Sequence, residues 1–224
     1  MPAVDPLLQH PALGRGASAA RAALPGIPSG YAALDRALPG GGWPRGALTE
    51  FLLHGRGIGE FTLIVPALAR LSRGGEFGAF MSPPHLPYAP ALAARGISLA
   101  CLTVIRPKTP LDALWAAEQC LRSGAYAAVV AWLGVDDERR LRRLQLAAEE
   151  GKCWGALFNA AAARASPAPL RLALRPRAGR LEVEVLKRRG GWVAPIHLEI
   201  HDALDRAPLS VPSPASTAPW GATA

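Results

Sequence analysis

The chain has 224 residues, half of them apolar, and a net charge of +8. That is enough for one domain with a buried core, and the positive balance favours an acidic partner, either nucleic acid or an acidic protein surface. The apolar runs are too short or too proline-rich for the ~20 residues of a membrane span. The start, MPAVDPLLQH, has no basic segment followed by an apolar one, so no signal peptide is expected and a cytoplasmic location is.

Residues 1–25 are rich in Ala, Pro and Gly around Leu7, Leu8 and Leu13, and read as a flexible arm. GYAALDRAL (30–38) is a short amphipathic helix stopped by PGGG. ALTEFLL (47–53) is a strand, HGRGIG a glycine loop, and FTLIVPALARLSR (61–73) a helix in which Pro66 is expected to cost a backbone bond. EFGAFMS (76–82) is a strand. YAPALAARG (88–96) is a helix closed by Gly96, and LACLTVIR (99–106) is a strand. PLDALWAAEQCLRSG (110–124) is a helix with proline at its start and glycine past its end. AYAAVVAWLG (125–134) is a buried strand, DERRLRRLQLAAEEG (137–151) a helix, and CWGALFNA (153–160) a strand.

The rhythm then changes. Residues 169–201 give three strands joined by turns, with alternation at Leu181, Val183 and Val185. Serial βα units followed by a meander imply an α/β fold, a mainly parallel sheet flanked by helices with antiparallel strands added at the C-terminal edge. The core domain is expected over 26–202. Residues 203–224 carry four prolines and read as a disordered Pro/Ala/Ser-rich tail, with Trp220 its one large apolar side chain.

The glycine loop carries the functional question. A phosphate-binding loop points backbone N–H groups at phosphate oxygens, follows its last glycine with a lysine, and uses a Ser/Thr hydroxyl to hold magnesium. Gly55, Gly57 and Gly59 are present, but Glu60 and Phe61 follow, and Thr62 is one place late for the hydroxyl. A metal-binding acid is expected at the end of the strand near 132, where Trp132 stands. A general-base carboxylate is expected after the second strand, where SPPHL places Pro83 and Pro84. Three groups needed for hydrolysis are missing at three separate places, which argues for a degenerate P-loop and a protein that is not an enzyme and needs no cofactor.

GIPSGYAALDRALPGGGWPRGALTEFLLHGRG resembles the lead-in of RecA-like proteins, through Ser29-Gly30, Leu34-Asp35, Gly40-Gly41-Gly42, Pro44, Gly46 and Glu50. Within that superfamily, Glu60 in the loop, Pro66 in the helix and SGAY…VVAWLG (123–134) are similar to the SulA and ImuA families. The long lead-in and the LEVEVLKRRGG meander look more like ImuA. The resemblance to ImuA implies a SOS-response accessory protein of translesion synthesis and mutagenesis. Its expected partners are ImuB, RecA or both, with an error-prone DnaE-type polymerase indirectly. The SulA alternative implies a division inhibitor that binds FtsZ.

Two basic groups are candidates for contacting DNA or a protein partner. Residues 160–192 hold Arg164, Arg171, Arg175, Arg177, Arg180, Lys187, Arg188 and Arg189 against Glu182 and Glu184, a local +6. A solvated basic edge on an antiparallel strand reads equally from the same residues. The second group is on helix 137–151, where Arg139, Arg142 and Arg143 share one side and Leu141, Leu144 and Leu146 are expected to be buried. Cys101, Cys120 and Cys153 are isolated, without zinc spacing, as suits buried thiols in a reducing compartment. The histidines form no metal pattern beyond a weak His197–Glu199–His201 triplet.

Overall fold

The computed structural model describes residues 25–55, 57–160, 165–177, 180–188 and 193–199. The N-terminal arm, the C-terminal tail with Trp220, and Arg56, Arg164, Arg189 and His201 lie outside them.

The chain runs α1 (Ala32–Ala37), β1 (Ala47–Leu53), α2 (Val65–Arg73), β2 (Gly78–Met81), α3 (Ala89–Ala94), a single 3-10 turn, β3 (Leu102–Ile105), α4 (Pro110–Arg122), β4 (Ala128–Ala131), α5 (Glu138–Gly151), β5 (Trp154–Ala160), β6 (Leu170–Arg177), β7 (Arg180–Lys187) and β8 (Ile196–Glu199). One eight-stranded sheet has the order β3-β2-β4-β5-β1-β6-β7-β8. The pairings from β3 to β6 are parallel, and β7 and β8 add antiparallel at the C-terminal edge. This is the architecture expected from the sequence.

Strand alternation divides the core between two faces. Phe51, Phe80, Trp154 and Phe158 pack with Leu34, Leu68 and Leu92 of α1, α2 and α3, and Leu172, Leu174, Leu181 and Val183 continue that layer to the edge. Leu48, Val129 and Leu157 face the other way, onto Leu114, Leu121, Leu141 and Leu144 of α4 and α5. Central strands buried on both faces explain why 47–53 reads as a nearly unbroken apolar run.

Local chemistry sets the helix ends. Thr109 caps α4 by accepting the Asp112 N–H at 3.1 Å, with Pro110 in the first turn, and Asp137 caps α5 by accepting the Arg139 N–H at 2.8 Å. The helix α2 begins at Val65 rather than 61, with residues 60–64 in turns. Proline has no N–H and its ring crowds the carbonyl four residues back, so Pro66 sits in the first turn, where neither matters, and no interior bond is lost. That carbonyl, of Thr62, accepts the Tyr31 hydroxyl at 3.3 Å. Gly30, at φ +90°, packs so closely that a Cβ there would lie 2.4 Å from Pro66 Cβ. The lead-in is thereby fastened to α2. Leu146 corrects the other expectation. It is 53% exposed while Leu141 and Leu144 are buried, because five residues from Leu141 is a rotation away from the core sector.

Candidate functional site

Parallel strands bring the C-terminal ends of β1, β2, β4 and β5 to one side of the sheet, the side where α/β proteins bind ligands. Gly57 (φ +68°) and Gly59 (φ +88°) take left-handed conformations there, which lets the chain turn back from β1 toward α2. A Cβ on Gly55 would stand 3.1 Å from Ile58 Cγ2. Within this turn Glu60 folds back, and its Oε1 accepts the Gly57 N–H at 3.4 Å. A loop amide of the kind that receives a phosphate oxygen therefore faces the chain's own carboxylate.

Phe61 follows. Its ring is half-buried and meets Phe80 of β2 edge-on, centroids 5.5 Å apart, and Trp132 at 6.3 Å. Trp132, at the end of β4, stacks on Phe158 of β5 at 5.2 Å, and Phe158 stacks on Phe51 of β1 at 4.9 Å. Trp43 of the lead-in extends the series, edge-on to Phe51 at 5.4 Å and stacked on Trp154 at 5.2 Å. Offset-stacked and edge-to-face pairs are the favoured geometries for such rings. The Trp132 amide donates to the Met81 carbonyl at 3.1 Å, so the ends of β4 and β2 are adjacent. After Met81 the chain turns through Ser82 at φ +51° into Pro83 and Pro84. Phe61, Trp132 and the end of β2, three places read separately in the sequence, thus form one neighbourhood with an aromatic floor.

A second polar feature lies on the opposite face of β1. Glu50, 4% exposed, accepts from Arg171 Nε of β6 at 2.8 Å and from Asn159 Nδ2 of β5 at 3.1 Å. Sequence reasoning noted Glu50 only as part of a motif. A carboxylate inside a seven-residue apolar strand is itself the missed signal, because a buried charge needs a partner.

The basic candidates fall on different elements. On β6 and β7, Arg175 pairs with Glu184 and lies 3.9 Å from Glu182, while Arg177 meets Glu182 at 2.5 Å. His197 of β8 also reaches Glu182, at 3.0 Å, and the Arg177 guanidinium first, then His197, holds the Glu182 carboxyl below its usual range. Lys187 Nζ donates to the Ser166 carbonyl at 2.7 Å, and Arg188 donates to the Ala37 carbonyl at 2.5 Å. Cross-strand register thus pairs Glu182 and Glu184 with Arg175 and Arg177, and backbone carbonyls hold Lys187 and Arg188. On α5, Arg143 meets Glu118 of α4 at 2.5 Å, and Arg139 and Arg142 are exposed. Among the described residues no group of three His, Cys, Asp or Glu is placed to hold a metal. No helix among them is long and apolar enough to cross a membrane.

Against known proteins, the family model described as "Cell division inhibitor SulA" matches residues 47–155. Protein RecA 1 of Myxococcus xanthus is 35% identical over 104 residues, covering 46% of this chain and 30% of that protein. RecA of Treponema denticola is 36% identical over 104 residues, 46% of this chain and 25% of that protein. RecA of Picosynechococcus is 35% identical over 105 residues, 46% and 29% respectively. The chain therefore spans about a third or less of the length of these curated relatives. Together with the strand order, these likenesses support the SulA/RecA-like branch, and the fold is RecA-like.

Proposed function

We propose that this chain is a non-hydrolysing RecA-like accessory subunit of a damage-induced translesion-synthesis assembly. In this reading it docks ImuB, RecA or both, and an error-prone DnaE-type polymerase is reached through them. One observation carries the loss of hydrolysis. At the loop, Glu60 stands in the lysine's place and occupies an amide with its carboxylate, and Phe61 and Trp132 place rings where the hydroxyl and the metal-binding acid would work. A carboxylate beside the loop repels triphosphate, and an aromatic floor offers magnesium no oxygen ligand. What the fold retains is a RecA-type surface for association. The ImuA-like lead-in and meander support the mutasome role over the division-inhibitor role.

The family match over 47–155 favours a second reading, a SulA-type division inhibitor that binds FtsZ. One experiment separates the two. The purified chain is tested for binding to RecA, ImuB and FtsZ side by side, with ATP turnover measured in each mixture. Binding to RecA or ImuB without turnover by the chain is the expected result. Binding to FtsZ alone moves the protein to the inhibitor class, and turnover by the chain itself overturns the non-hydrolysing assignment.

A further inference from the structure

Two ion pairs across α4 and α5 fix the helices in parallel register. Glu118 meets Arg143 at 2.5 Å, and Arg122 meets Glu150 at 2.9 Å. One turn back along both helices, Trp115 comes level with Arg139, and Leu111 lies a further turn up the same stripe. None of these side chains serves the core. The buried face of α4 is Ala113, Leu114, Ala117, Glu118 and Leu121, whereas Leu111 is 70% exposed, Trp115 62%, and Leu146 on the neighbouring stripe of α5 53%. Single exposed apolar residues are ordinary, but three large ones lining one interhelical groove, beside Arg139 and Arg142, match the Trp-and-Arg composition of binding hot spots.

We propose that the outer groove between α4 and α5 docks an acidic amphipathic segment of a partner protein. Its apolar side chains seat around Leu111, Trp115 and Leu146, and its carboxylates meet Arg139 and Arg142. This rests on the adaptor reading above and names the surface that would perform it. Charge and shape favour this occupant over nucleic acid. The arginine excess sits at the N-terminal half of α5, where Arg139, Arg140, Arg142 and Arg143 outnumber Asp137 and Glu138, while Glu149 and Glu150 stand exposed beside its lower half. A phosphate backbone running along the groove would meet those carboxylates. A segment with spaced apolar anchors and acids at one end satisfies both halves.

The probe is a labelled peptide of ~16 residues with Leu and Phe at i, i+3, i+4 and i+7 and Glu elsewhere, compared with the same peptide carrying Lys for Glu and with oligo(dT). Anisotropy is read on the full chain, on W115A and on R139E/R142E, with thermal unfolding as the folding control. The Glu peptide is expected to bind the native chain, the Lys peptide not to, and each variant to weaken binding about tenfold or more without a change in unfolding. No binding of the Glu peptide, or binding indifferent to both variants, overturns the proposal. Oligo(dT) binding lost in those variants makes the groove a nucleic-acid surface. Self-association lost in W115A makes it an interface between copies. RecA and ImuB binding by the same variants separates the two claims. If the native chain binds neither protein but holds the Glu peptide, the partner assignment fails and the groove stands. If it binds one of them and both variants do so equally well, the groove fails and the adaptor reading stands.

Discussion

Restoring the missing loop chemistry tests what fills the site. In E60K/F61T, the lysine and hydroxyl return directly after Gly59. The loss of the Glu60–Gly57 contact at 3.4 Å on an exposed loop has little effect on stability. The loss of the ring has more. Phe61 makes two aromatic contacts, at 5.5 Å with Phe80 and 6.3 Å with Trp132, each contributing about 0.5–1.5 kcal/mol. Returning a half-buried ring to water adds about 1 kcal/mol, and the site is open enough to be wetted, so no large cavity penalty is added. The sum, roughly 2–4 kcal/mol, lowers the melting temperature by roughly 4–16 °C for a domain of this size. Thermal unfolding followed by circular dichroism reads it, and the same samples are assayed for ATP turnover. We expect the loss of stability without a gain of turnover, because in the proposed reading Trp132 still stands in the place of a metal-binding acid and Ser82-Pro83-Pro84 in that of a base. A variant as stable as the native chain would refute the packing role of Phe61. A variant that hydrolyses ATP would refute the weight placed on Trp132 and Pro84.

Three further outcomes follow from the fold. R171M leaves the buried Glu50 carboxylate with Asn159 alone and is expected to cost about 3–5 kcal/mol in urea unfolding, whereas E50L/R171M recovers part of that, short by the about 1–3 kcal/mol of an Asn159 amide left without its acceptor. If the single and double variants are equally unstable, the pair is not what the strand requires. G30A meets Pro66 Cβ at 2.4 Å as well as a left-handed backbone, and should cost roughly 2–5 kcal/mol. G41A, at φ +75° with nothing within 4 Å, should cost only about 1–2 kcal/mol, and equal losses would show that the lead-in does not bear on α2. Burial pushes the Cys153 thiol up from 9.0 to about 12. Because the folded value is the higher one, the stability this thiol contributes is complete below pH 9 and is lost as the pH rises toward 12, at on the order of 1 kcal/mol per pH unit. The urea midpoint of C153A should decline less over that window than that of the native chain, and parallel declines would place the alkaline loss elsewhere.

What could be read from the sequence was what depends on short range. The strand 47–53 was legible because a run buried on both faces needs no periodicity to be seen, and α4 and α5 because Thr109-Pro110 and Asp137 mark their starts. The start of α2 was misplaced because apolar residues 61–64 continue the helical pattern while Pro66 limits where the hydrogen bonds begin. Leu146 was misplaced because three leucines in six residues cannot all share one face of a helix. The basic segment could be counted from the sequence but its pairing could not, because counting charges ignores register. Once β6 and β7 are antiparallel, Arg175 stands opposite Glu182, and Glu182 and Glu184 pair with Arg175 and Arg177.

The aromatic floor was out of reach for a different reason, and it bears on what the loop glycines do for the fold. Phe61, Phe80, Trp132 and Phe158 come from four segments, and only the order β2-β4-β5-β1 makes their rings neighbours. Reaching that neighbourhood from β1 requires the chain to reverse within a few residues, through left-handed conformations at positions 57 and 59 that side-chain-bearing residues resist. Gly57 and Gly59 therefore do the same geometric task with or without a ligand. They turn the strand toward α2 and set the residue after Glu60 over the strand ends. Where a lysine and hydroxyl in that place would need a bound polyphosphate to complete their electrostatics, Phe61 completes its contacts with the protein itself. The residue that ends the loop is thus held by apolar packing against the strand ends.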